Sequence, residues 1–207
     1  MTEYKYPVDI SGNETVDSLV ASNRICNPVS STHSRGNSIE RTEYYYSLFN
    51  QVPQLASVNT NTGSGGTMEP RSQCLRYDSH GNMLEVVGSD GVHVVYLWGY
   101  EYQFPIAEIK NSTFSAVCAA LGVATDDYER VVLSGSDVSA TLRKKLPDAL
   151  VTTYTYLPLI GITRVTLPSG QSMTYEYDSF GRLSCIKNHS GQVVEQYNYH
   201  YQKEVQP

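Results

Sequence analysis

At 207 residues and 40% hydrophobic content, the chain is long enough to bury a sizeable core and too apolar to be disordered throughout. A formal net charge of −6, with no basic run longer than the trio Arg143–Lys145, argues against nucleic-acid binding, which needs clustered cations to neutralise phosphates. Tyrosine is the outlier, at 17 residues against 4 Phe and 1 Trp; its ring packs on a half-buried sheet face while its hydroxyl reaches water, so the composition points to a largely β protein.

Residues 1–70 read as an N-terminal strand and loop region with one short helix. "NETVDSLVASN" predicts a helix from about Glu14, with Val16, Leu19 and Val20 inward. "ERTEYYYSLF" from Glu40 predicts a strand, and "NTNTGSGGTMEP" from Asn59 a polar loop. No apolar run follows Met1, so no signal peptide is expected in this chain, and nothing approaches a membrane span.

Residues 71–110 read as a hairpin unit followed by an aromatic strand. In "VHVVYLWGYEYQFP" the even positions Val92, Val94, Tyr96, Trp98, Tyr100, Tyr102 and Phe104 form an apolar stripe, expected as one long strand bent at Gly99. Such a stripe is expected to be sheet core, with Trp98–Tyr102 nearest to solvent. If exposed, Trp98, Tyr100 and Tyr102 are the candidate aromatics for stacking a sugar ring.

Residues 111–149 change character and read as a helical insertion. "NSTFSAVCAALG" places Phe114, Val117, Cys118 and Leu121 on one helical stripe, capped by Asn or Ser and ended by Gly122. "DDYERVVL" predicts a second short helix, and "SDVSATLRKKLP" a third, with Ser136 or Asp137 as its cap and Pro147 as its stop. The basic trio then sits at a helix end, where it complements the dipole. The insertion is expected to cover an open sheet face or edge; the alternative is a partner-binding hairpin.

Residues 150–207 bring an internal repeat. "YDSFGRLSCIKNHSGQVVE" from Tyr177 aligns without a gap on "YDSHGNMLEVVGSDGVHVV" from Tyr77, and in each copy the glycines lie ten apart, Gly81 to Gly91 and Gly181 to Gly191. Asp78 and Asp178 take the first position of a β-turn, where the carboxylate accepts a backbone N–H two residues on, and Gly takes the fourth. "LPSG", ending at Gly170, is a further turn with Pro preset at its second position. Between turns Val165, Leu167, Met173, Tyr175, Tyr177, Leu183 and Cys185 share one parity, and turns every ten residues or so predict a hairpin meander. Asp78 and Asp178 are therefore read as turn-formers, since neither hairpin supplies a second carboxylate or a His on the same element for acid–base work.

No nucleophile elbow, phosphate loop, zinc-protease or dinucleotide fingerprint occurs, and the five histidines are scattered. Cys26, Cys74, Cys118 and Cys185 lie far apart without metal-ligand spacing, which leaves their redox state open. No catalytic residue, metal or cofactor is expected.

The motif Tyr-Asp-x-x-Gly-[Arg/Asn]-[Leu/Met], followed ten residues later by a second turn glycine, resembles the YD repeat of the RHS family, best in "YEYDSFGRLSCIKNHSGQVVEQYNYHY". The resemblance covers about Arg71 to Tyr201 and extends to RHS/YD proteins of Bacteroidetes. It implies a large exported or surface protein whose hairpins wind into a shell, enclosing a toxic domain in some members and serving adhesion in others, with carbohydrate binding also linked to the repeats. The chain departs from the family in lacking the Asp-Pro pair of the self-cleaving segment and any toxin-like stretch after Tyr201. With about three hairpins it is expected to be a tile of a larger shell.

The expected fold is thus mainly β: an antiparallel β-hairpin meander built from YD repeats, with a small helical insertion at about 111–147. The expected function is a non-enzymatic structural and interaction module of a surface or secreted repeat protein. Its expected partners are other repeats of the same or a longer polypeptide, and self-association through strand edges. A glycan-binding module and a remnant of a toxin-encapsulating protein are the alternatives.

Overall fold

The computed structural model describes residues 1–62, 66–127 and 138–200. Among these, thirteen strands form one antiparallel sheet in which every strand lies beside its sequence neighbours, a pure meander. In chain order they are β1 Thr2–Lys5, β2 Ser30–Arg35, β3 Ser38–Phe49, β4 Val52–Thr62, β5 Glu69–Tyr77, β6 Met83–Gly88 and β7 His93–Gly99. There follow β8 Phe104–Lys110, β9 Leu150–Leu157, β10 Gly161–Thr166, β11 Ser172–Tyr177, β12 Leu183–Lys187 and β13 Val193–Gln196. Three helices, α1 Glu14–Ala21, α2 Phe114–Leu121 and α3 Val138–Lys145, interrupt the series. The mainly β hairpin meander with a helical insertion is the fold that the turn spacing predicts.

The core lies where α2 and α3 cover the middle of the sheet. One register row runs Glu85–Val95–Ile109–Val151 across β6 to β9, and the next runs Leu97–Ala107–Thr153. Phe114, Val117 and Cys118 of α2, with Val138 and Leu142 of α3, pack on these rows as one buried cluster. Each large side chain fully buried there contributes about 1.5–3 kcal/mol. Arg143 ties α3 to the β10–β11 hairpin through the carbonyls of Pro168 (3.0 Å) and Thr166 (3.4 Å), and Lys145 donates to Ala120 O at the end of α2 (2.7 Å). Arg143 thus stitches the insertion to the sheet, and Lys145 closes the end of α2.

The structure corrects several expectations. The stretch Val92–Pro105 is not one bent strand: it reverses between β7 and β8 at Tyr100, Glu101 and Tyr102, all with positive φ (52°, 58° and 64°). Gln103 N closes the turn onto Gly99 O at 3.1 Å. The even-numbered stripe is not the covered face either. Val95 and Leu97 are fully buried under the helices, whereas Val94 and Tyr96 are half-buried on the other side, and Trp98, past a register shift, is half-buried against the cluster. Both faces of β7 are apolar, so alternation alone does not choose between them, and the helices decide.

Val20 is exposed, since at about 100° per residue it falls on the flank of the contact stripe set by Val16 and Leu19. The α2 cap is Thr113, whose hydroxyl accepts from Ala116 N, in place of the expected Asn or Ser. Cys185 leaves the face of Tyr175, because a register shift beside Tyr177 pairs Tyr175 with Ile186 and Cys185 with Glu176. The loop expected from Asn59 begins later, as Asn59–Thr62 continue β4 against Glu40–Glu43 of β3. "DDYERVVL" shows a single 3-10 turn at Thr125–Asp127, and its remainder, with the Ser136 and Asp137 cap, lies outside the described residues.

Candidate functional site

The turns repeat one another atom for atom. In the segments starting at Asp78, Gly88, Leu167, Asp178 and Asn188, the first residue's N–H donates to the fifth residue's carbonyl, and the fourth residue's N–H donates back to the first carbonyl. That fourth residue is Gly81, Gly91, Gly170, Gly181 or Gly191, with φ between 74° and 86°. A left-handed residue there restores the strand twist, which glycine does without a Cβ penalty.

The aspartates complete the turn. Asp78 Oδ1 accepts from His80 N (2.9 Å) and Asn82 N (2.7 Å), and Oδ2 from Asn82 Nδ2 (3.0 Å). Asp178 Oδ1 accepts from Phe180 N (2.9 Å) and Arg182 N (3.0 Å), while Oδ2 pairs with Arg182 at 2.5 Å. The Arg182 side chain, helped by these backbone N–H groups, holds the Asp178 carboxyl below its ordinary range. In the β12–β13 turn Asn188 Oδ1 does the same work for Ser190 N and Gln192 N.

The motif tyrosine also has a repeated task, which the sequence reading missed. Tyr77 OH donates to Leu55 O (2.8 Å) and Tyr177 OH to Ile162 O (2.7 Å), each stapling its strand to the preceding one. The twofold recurrence of Tyr before Asp was the available signal.

The three candidate ligand aromatics lie close together but are engaged internally. Trp98 Nε1 donates to Met83 O at 2.9 Å, and the indole packs against the buried cluster. Tyr100 OH accepts from Tyr156 N at 2.8 Å, and its ring meets Phe104 and Tyr156 edge-on. Tyr102 stacks on His80 with centroids 3.9 Å apart. Burial pushes the Tyr156 hydroxyl up to about 12, with Tyr154 and Tyr100 adding to the effect.

One buried acid escaped the sequence reading. Glu85, at 4% exposure, accepts from His93 Nδ1 (2.8 Å) and from Phe114 N (3.2 Å), the first amide of α2, and faces Arg76 Nε at 3.5 Å. A carboxylate at a helix N-terminus compensates unpaired amides and the dipole, so Glu85 seats the insertion on the sheet. A glutamate between Leu84 and Val86 reads as a surface residue in any strand pattern.

Two open clefts accompany these features. One of about 430 Å³ is lined by Arg76, Asp78, Phe114 and Asp126, and the other, of about 580 Å³, by Asp178, Arg182, Lys187 and Tyr199. Among the described residues no group of three or more His, Cys, Asp or Glu is placed to hold a metal ion. The four cysteines are free thiols. At the sheet's ends β1 and β13 each pair on one side only among the described residues, and every residue of both strands is exposed.

Residues 161–188, the span of β10 to β12, match the family model described as RHS Repeat. No curated protein matches the chain. Among solved structures, the chain is similar to TcdB2-TccC3 at 13% identity and a TM-score of 0.45, over 87% of this chain and 10% of that one. It is similar to TcdB2-TccC3 without its hypervariable C-terminal region at 12% identity and 0.46, over 82% and 8%. The Tc holotoxin pore of Photorhabdus luminescens gives 12% identity and 0.43, over 94% and 11%. The chain therefore spans about a tenth of the length of the chains it matches.

Proposed function

We propose that this chain, which carries an RHS repeat at residues 161–188, is a non-enzymatic structural and interaction module that takes its place beside other repeats in a larger sheet. The observation that carries the reading is the pair of open strand edges on a regular meander: β13 leaves one side unpaired among the described residues, and an unpaired edge is a template for another strand. The polar groups that a catalytic reading would recruit are spent on architecture. Both oxygens of Asp78 and of Asp178 bond within their own turns, and Glu85 holds a helix to the sheet. The internal contacts of Trp98, Tyr100 and Tyr102 support a packing role for them over a sugar platform.

A place outside the cell or at its surface belongs to the same proposal. An antibody to this segment, used on fractionated native cells with and without external protease, tests it. A band far larger than 23.0 kDa that protease removes from intact cells is the expected result. A 23.0 kDa band confined to the cytosol would overturn both the larger sheet and the surface location.

A further inference from the structure

Strands β11–β12–β13 follow β5–β6–β7 turn for turn. Tyr77 and Tyr177 staple the first strand of each set, the Asp78 and Asp178 turns lead into the second, and Gly91 and Gly191 close the next turn. The likeness extends to the third strand. Trp98 Nε1 of β7 donates to Met83 O at 2.9 Å, and Tyr199 OH, just past β13, donates to Leu183 O at 2.9 Å. Val94 faces Val86 and Glu195 faces Ile186, with Val194 as one extra residue at a register shift. Glu195 therefore stands where Val94 does, Gln196 where Val95 does, and Tyr197 where Tyr96 does.

The two strands differ at one edge. On β7 that edge carries β8: Asn111 N donates to His93 O at 2.9 Å, and Lys110, Ile109 and Glu108 face Val94, Val95 and Tyr96. On β13 Tyr197 N donates inward to Ser184 O at 3.0 Å. Antiparallel alternation then turns the N–H and C=O groups of Gln196 and Asn198 outward, and both residues are exposed. Between these outward groups and the bulge sits Glu195. Its cross-strand neighbour is the apolar Ile186, and its hydrogen-bond partner among the described residues is the Tyr197 hydroxyl. A carboxylate on an open edge repels strands that bring no counter-charge and favours one that does.

We propose that the β13 edge takes an antiparallel strand with a lysine or arginine opposite Glu195, the place that Lys110 holds opposite Val94 on β7. This rests on the module reading above, and adds the direction, register and charge of the neighbouring strand. β8 itself has the required pattern: with Lys110 at Glu195, Ile109 falls at Gln196 and Glu108 at Tyr197.

Peptide titration into the isotope-labelled full chain, followed by amide chemical shifts, tests it. The probes are a peptide of residues 103–111, Gln-Phe-Pro-Ile-Ala-Glu-Ile-Lys-Asn, and its Lys110→Glu form. The first should shift the Gln196 and Asn198 amides and bind about fivefold more tightly than the second, the scale for a matched against an opposed cross-strand charge pair. In a Glu195→Lys chain the preference should reverse, and the amide spectrum of that variant shows directly whether it stays folded. Equal binding of the two peptides at those amides overturns the proposal and leaves the edge a strand site, so the module reading survives. Gln196 and Asn198 amides that neither peptide moves overturn it too, and the blot of native cells then decides separately on the module reading. Shifts at these amides that grow with chain concentration in the absence of peptide assign the edge to a second copy, and overturn it as well.

Discussion

The middle of the sheet and its C-terminal quarter are built from similar hairpins but held by different forces. In β6 to β9 the row Glu85–Val95–Ile109–Val151 is sealed under α2 and α3. In β10 to β13 only Ser172 is buried; the other strand residues are half-buried or exposed, and from the insertion Arg143 reaches the β10–β11 turn. The first region rests on apolar burial. The second rests on turn chemistry, tyrosine staples and strand pairing. Hydrogen bonds open to water contribute about 0.5–1.5 kcal/mol each, which is less than a filled core, so the bare hairpins depend on their neighbours. That dependence is what a tile of a longer sheet would show.

Truncating the core should mark the difference most strongly. Phe114→Ala or Leu142→Ala is expected to lose about 3–5 kcal/mol in denaturant unfolding, whereas Val193→Ala on β13 should change stability by less than about 0.5 kcal/mol. Glu85→Ala comes next. It strips Phe114 N and Arg76 of their acceptor and should cost about 2–3 kcal/mol, most of it recovered in Glu85→Gln, whose carbonyl still accepts from the helix. Gly181→Ala should cost roughly 1–2 kcal/mol through the left-handed backbone alone, and Gly91→Ala a similar amount, since the same turn serves both regions.

The smallest effect is a pH dependence at Asp178. Its carboxyl is held below its ordinary value in the folded chain, so the unfolded chain takes up the proton first as pH falls. The stabilisation is present above the ordinary value of 3.8 and is lost as pH falls through the lower, folded value. The melting-temperature gap between the parent and Asp178→Asn should be widest near neutrality and close in acid. A gap that stays constant would contradict the role given to the Arg182 pair.

Local chemistry explains which parts were legible in the sequence. Asp at the first position, or Pro at the second, with Gly at the fourth specifies a turn within five residues, so the hairpins of β5–β6 and β11–β12, by Asp, and β10–β11, by Pro, could be read directly. The reversal at Tyr100–Tyr102 could not, because it uses three left-handed residues that are neither Gly nor Asn and is held by Tyr100 meeting Tyr156 from a distant strand. The parity of Cys185 failed at a register shift, a one-residue event that leaves no mark in an alternating pattern. Glu85 was invisible because its partners, Arg76, His93 and Phe114 N, come from β5, β7 and α2, and are assembled only by the fold.

Native-state hydrogen exchange tests most directly whether the repeat hairpins lean on their neighbours. The account predicts that amides of β7, β8 and β9 exchange only through global unfolding, while those of β12 and β13 exchange through a cheaper opening that leaves the helical region intact. Equal protection from β6 through β13 would contradict it, and would mean that the bare hairpins carry a stability of their own.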